Sequence, residues 1–93
     1  MAIGALVLEL EVVGAQSLKE KRSALKSLKD RLHVRFRVAV GETDHLDLWQ
    51  RAELTVCAVS ADRGQTEKVL QSVDQFVASD PRVRIIGTHR STF

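Results

Sequence analysis

Between Glu42 and Arg51 the chain gathers its densest set of reactive side chains: Glu42, Asp44, His45, Asp47, Trp49, Gln50 and Arg51. Carboxylates beside an imidazole are the raw material of acid–base chemistry or of a hard-metal site. Both uses need more than composition. An adjacent Asp and His with an acid two positions later matches no fixed zinc spacing, and catalysis needs a pocket that holds its groups in place and excludes water. A short hairpin loop on a small domain rarely supplies one. The residues therefore specify no catalytic group and no metal ligand. Asp44, His45, Asp47, Trp49, Gln50 and Arg51 read instead as loop anchors or an interface. Asp44 is expected to cap the turn through backbone amides and Trp49 to clamp the loop near the start of a strand. Arg51 is expected to pair with one of the loop acids.

A second cluster is basic. Lys19, Arg22, Lys26, Lys29 and His33 follow spacings of three, four, three and four, so on a helix they form one stripe. Such a stripe suits a phosphate backbone, and Lys19, Arg22, Lys26 and Lys29 are the candidate nucleic-acid contacts. The plainer reading is a solvated helix face whose long side chains snorkel along an apolar margin. Lys21 differs, because its angle falls inside the apolar stripe. Its stem is expected to pack at the first turn, with its ammonium reaching water or the acidic end of a neighbouring strand. Cys57, the one cysteine, lies in an apolar alternating run and reads as a buried thiol. His33 and His89 read as isolated surface or strand-end imidazoles.

Periodicity supplies the elements that position these groups. Leu6, Leu8, Leu10 and Val12 alternate with Ala5, Val7, Glu9 and Glu11, which predicts a strand with one buried face. Ser17 and Glu20 form a capping box, and Leu18, Leu25, Leu28 and Leu32 then give an amphipathic helix over 18–34. Phe36, Val38 and Val40 alternate with Arg35, Arg37 and Ala39 as a second strand, and Ala52, Leu54, Val56 and Ala58 mark a third. A second helix over 62–78, capped by Ser60 or Asp62, carries Val69, Leu70, Val73, Phe76 and Val77 and stops at Asp80 and Pro81. The run from Arg82 to His89 is a fourth strand.

Strand, helix, strand, strand, helix, strand is the ferredoxin-like α+β plan, with two helices on one face of a four-stranded antiparallel sheet in the order 4-1-3-2. By parity its uncovered face should carry Glu9, Glu11, Arg35, Arg37 and Glu53. A conventional RNA-reading sheet needs exposed aromatics, whereas this chain has no Tyr, three Phe and one Trp. RNA contact would then fall to the first helix or a loop.

The 93 residues fit a single domain, and 44% apolar residues provide a core without a metal or disulfide staple. No cofactor is called for. The net charge of +2 hides a polarised molecule. Residues 18–37 hold eight Lys or Arg against Glu20 and Asp30, and the rest holds six against ten, so an anionic partner is expected at one surface. Neither a secretory leader nor an apolar run of membrane-spanning length is read, which makes the cytoplasm the expected location and a membrane no partner.

The segments SLKEKRSALKSLKDRL, DHLDLWQRAEL and VSAD resemble the YlxP-like family of small bacterial proteins, over roughly residues 3–90. Ser17 to Arg22, Asp44 to Ala52, and Ser60 with Asp62 carry that resemblance. It implies a ferredoxin-like fold. Because such genes often lie beside those for ribosome-binding factor A and translation initiation factor two, it also implies an accessory role in ribosome maturation or translation, with ribosomal RNA or a ribosomal protein as partner. It supplies no catalytic residues. Two further readings stand beside it: a homodimeric protein-interaction module pairing through the second strand or the open sheet face, and a metal-dependent enzyme using the 42–51 loop.

Overall fold

The computed structural model describes all residues from Met1 to Phe93. The alternation of the first segment forms β1 (Ala2–Val12), whose Leu6, Leu8 and Leu10 are fully buried. Ser17 caps α1 (Leu18–Phe36) by accepting from the Glu20 amide at 3.0 Å, while the Glu20 carboxylate accepts from the Gln16 amide at 2.6 Å. β2 (Ala39–Asp44) and β3 (Arg51–Ser60) follow as a hairpin. α2 (Arg63–Ala78) is capped by Asp62, which accepts from the Gln65 amide, and β4 (Val83–Thr92) closes the chain.

All pairings are antiparallel and the order is β2-β3-β1-β4, the expected order read from its other edge. The core lies between this sheet and the helices. Leu25, Leu28 and Leu32 from α1 and Leu70, Val73 and Val77 from α2 meet the inner residues of β1 and β3. This is the ferredoxin-like architecture.

Several boundaries differ from the sequence reading: β2 runs on to Asp44 and β4 to Thr92, and the start of the expected second strand belongs to α1. The segment Arg35-Phe36-Arg37-Val38 alternates, yet α1 continues through Phe36. Phe36 stands four residues after Leu32 and so stays on the helical stripe. Its ring meets Phe76 of α2 edge-on at 5.6 Å, and the Arg35 guanidinium lies over both rings at 5.6 and 5.3 Å. These contacts favour the helix over a strand start. Arg37 ends α1 in the left-handed region at φ 55°, its amide donating to the His33 carbonyl.

Arg35 and Arg37 are thereby removed from the sheet. Of the open-face acids, Glu9 pairs with Arg51 at 3.4 Å and Glu11 with Arg84 at 2.9 Å, while Glu53 accepts from the Thr43 hydroxyl. Cys57 also departs from expectation. It stands opposite Ala5 and Ala39 on the open face and is half-buried rather than enclosed.

A candidate interface on the first helix and the 45–50 loop

The loop is held from below by Lys21. This side chain is fully buried in the first turn of α1. Its ammonium lies 2.8 Å from Glu42 Oε2 and donates to the His45 carbonyl at 2.6 Å. Glu42 faces the helix layer because it stands opposite Leu54, so it belongs to β2 rather than to the loop. Its Oε2 has no aligned hydrogen bond, and the contact is an ion pair without that directional support. A buried charge without such a partner is strongly destabilising, which ties α1 to β2 at this point.

His45 is the hinge of the loop. Its backbone sits at φ 61°, an uncommon conformation for a residue other than glycine. Its amide donates to Asp44 Oδ1 at 2.7 Å, its carbonyl accepts from Lys21, and the Leu48 amide donates to that same carbonyl at 3.0 Å. Its imidazole Nε2 lies 3.1 Å from Glu9 Oε2, across the sheet on β1. Asp44 therefore caps the turn as expected. Gln50 fixes the far end, since its carbonyl accepts from the Val12 amide and its side chain donates to the Ala15 carbonyl, both at 2.9 Å.

Two loop expectations are corrected. Trp49 does not clamp anything: it is 53% exposed, beside Leu46 at 56% and Leu48 at 48%. The clamping falls to Lys21 and Gln50, which donate to the His45 and Ala15 carbonyls. Arg51 does not pair with a loop acid. It enters β3 opposite Glu11 and points to Glu9, because strand parity places it on the open face. Asp47 is exposed. The Asp, His and Asp of this loop thus do not converge, since His45 turns to Glu9.

On α1 the sequence places the basic stripe correctly along one flank. Lys19, Arg22 and Lys26 are exposed and Lys29 is half-buried at the apolar margin. Arg31 and Arg35 occupy the opposite flank, against α2. α1 lies over β2 and α2 over β1, β3 and β4, so the flank turned away from α2, which carries the stripe, runs along the β2 edge of the molecule. Of its four candidate residues, Lys26 alone is in an ion pair, 2.8 Å from Asp30. Their hydrogen bond raises the pKa of Lys26 and lowers that of Asp30. His33 sits at the lower end of the stripe, its Nδ1 3.0 Å from the Val38 carbonyl.

Sequence reasoning missed Asp80. Arg31 donates to its Oδ2 at 2.6 Å, and the Arg82 amide and side chain add further bonds. Burial pushes this carboxyl up, but the Arg82 and Arg31 donors outweigh it and hold its pKa at about 2. The only sequence signal was an acid before proline, which reads as a helix stop.

The domain is thus ferredoxin-like, with a basic flank on its first helix and a loop whose tip exposes Leu46, Leu48 and Trp49. The chain matches, over residues 3–90, the family described as protein of unknown function DUF503, and it belongs to that family. It is 42% identical over 91 residues to the uncharacterized protein YlxP of Bacillus subtilis (strain 168), covering 98% of this chain and 99% of that protein.

Proposed function

We propose that the chain is a noncatalytic accessory protein that contacts RNA through α1, in ribosome maturation or translation. The observation that carries this reading is the unpaired state of Lys19, Arg22 and Lys29 on a single flank of one helix. Exposed cations left without carboxylate partners are free to exchange counterions for phosphates. From Lys19 to Lys29 the helix rises about 15 Å, enough to follow several consecutive backbone units. The rest of the molecule fits a backbone-directed mode, since Phe36 and Phe76 pack on each other and leave no stacking platform on the sheet.

Fluorescence anisotropy with a labelled ribosomal RNA fragment, repeated over a salt series, tests it. Lys19→Ala, Arg22→Ala and Lys29→Ala should each weaken binding and lower the salt slope by about one. Binding indifferent to salt and to all three substitutions would refute the proposal.

A protein-interaction or homodimer role is favoured by one separate observation, the exposure of Leu46, Leu48 and Trp49 on a loop that is fixed at both ends. Rigid exposed aromatics are the usual anchors of protein interfaces. In that case the wild type is a dimer by size-exclusion light scattering and Trp49→Ala shifts it toward monomer. A monomer in both dismisses the homodimer.

A further inference from the structure

The register of β4 shifts against β1 between Glu9 and Leu10. Above the shift, Val83 and Ile85 stand opposite Val12 and Leu10 and face the helix layer, as core positions should. Below it, the residues opposite Leu8, Leu6 and Gly4 are Thr88, Arg90 and Thr92. They share the helix-side face yet are polar and exposed. Three consecutive core-parity positions are thus given to polar side chains at one end of the sheet.

α2 does not fill the space above them. It is seated on β1 at Gly4, where a Cβ would lie 2.9 Å from Thr66 Cγ2 and 3.0 Å from Leu70 Cδ1. Beside that contact a cleft of about 470 Å³ opens between the first turns of α2 and the ends of β1 and β4. Its apolar lining includes Leu70 and Phe93, and its polar groups include Arg63, Glu67, Arg90 and Thr92. Arg90 forms no ion pair in the fold, and Arg63 is held only loosely by Glu67, at 3.5 Å with both side chains mostly exposed. A cleft that sets apolar surface beside guanidinium and hydroxyl groups has the composition of a small-molecule site, and the volume suits a ligand of modest size.

We propose that this cleft binds an organic phosphate monoester, its phosphate held by Arg63 and Arg90 and its apolar body lying against Leu70 and Phe93. Two guanidinium groups match the charge of a phosphate dianion, and their planar donors together with nearby hydroxyls match its acceptor oxygens better than they match a single carboxylate. The cleft lies against the β4 edge, whereas the α1 stripe lies against the β2 edge. The two sites are therefore independent.

The test is an amide chemical-shift titration of the ¹⁵N-labelled protein with phenyl phosphate, alongside inorganic phosphate and benzyl alcohol. The expected result is saturable shifts at Gly4, Thr66, Arg90 and Thr92 with phenyl phosphate, weakened about tenfold or more in Arg90→Gln and in Arg63→Gln. Binding should be unchanged in Arg22→Ala, and inorganic phosphate and benzyl alcohol should each bind more weakly. Arg63 and Arg90 are exposed, so their variants keep the fold, which the same spectra verify. Shifts that fail to saturate, that persist in both arginine variants, or that centre on Lys19 and Arg22 would overturn the proposal. Equal affinity for inorganic phosphate would overturn the apolar half of the site.

Discussion

At the scale of single residues, Lys21 and Asp80 do the most to define the structure, and neither is a surface charge. Lys21→Met removes one side of a buried pair and strands Glu42, so we expect a loss of about 3 kcal/mol in urea denaturation, with most of it restored in Lys21→Met/Glu42→Leu. A single variant as stable as the wild type would show that the pair contributes little. Asp80 makes a pH prediction. Its folded pKa of about 2 lies below the ordinary value of 3.8, so its contribution is present above about pH 4 and is lost as pH falls toward 2. Asp80→Asn should therefore cost about 2 kcal/mol at pH 7, with the gap to wild type shrinking steadily between pH 4 and pH 2. A gap that stays constant over that range would contradict the assignment. The acid-seeking ammonium of Lys21 was legible from its wheel angle, but not which acid, because Glu42 changes face only once the hairpin register is known. Nothing in the sequence placed Arg31 beside Asp80, a contact between residues 49 apart.

Elements were legible wherever apolar spacing had a single interpretation. β1, β3 and both helix N-termini follow from alternation and capping residues, and the structure places them at or within a residue of the expected positions. The segment after Leu32 had two. A residue at i+4 keeps the helical stripe and a residue at i+2 keeps the strand face, and Arg35-Phe36-Arg37-Val38 satisfies both. The Phe76 ring, forty residues away, selects the helix. A register shift is equally invisible in one sequence, and it is what turns Arg90 onto the helix side of β4. The seating of α2 on β1 gives this scale its test. Gly4→Ala drives a methyl into Thr66 and Leu70, both buried and fixed, and should cost about 1–3 kcal/mol in the same denaturation assay. A neutral result would mean that α2 lifts freely from the sheet.

For the whole molecule, the division of charge decides what can dock where. Cations dominate the α1 flank along β2, whereas the open sheet face carries Glu9, Glu11 and Glu53, the first two matched by Arg51 and Arg84. On the proposed reading, an extended anion would be drawn to the α1 edge of the domain rather than to the sheet. This polarity was legible from the count of charges along the chain. That the free cations would share one flank, with Arg31 and Arg35 withdrawn against α2, emerged only from the packing of the two helices. The most direct measurement is sedimentation of the protein with purified ribosomal subunits and with free ribosomal RNA, at low and high salt, beside a variant carrying Lys19→Ala, Arg22→Ala, Lys26→Ala and Lys29→Ala. Direct RNA contact through α1 predicts saturable binding that weakens with salt and is lost in the variant while its circular dichroism remains native. Binding that the folded variant retains in full, or no binding to either target by the wild type, would contradict it.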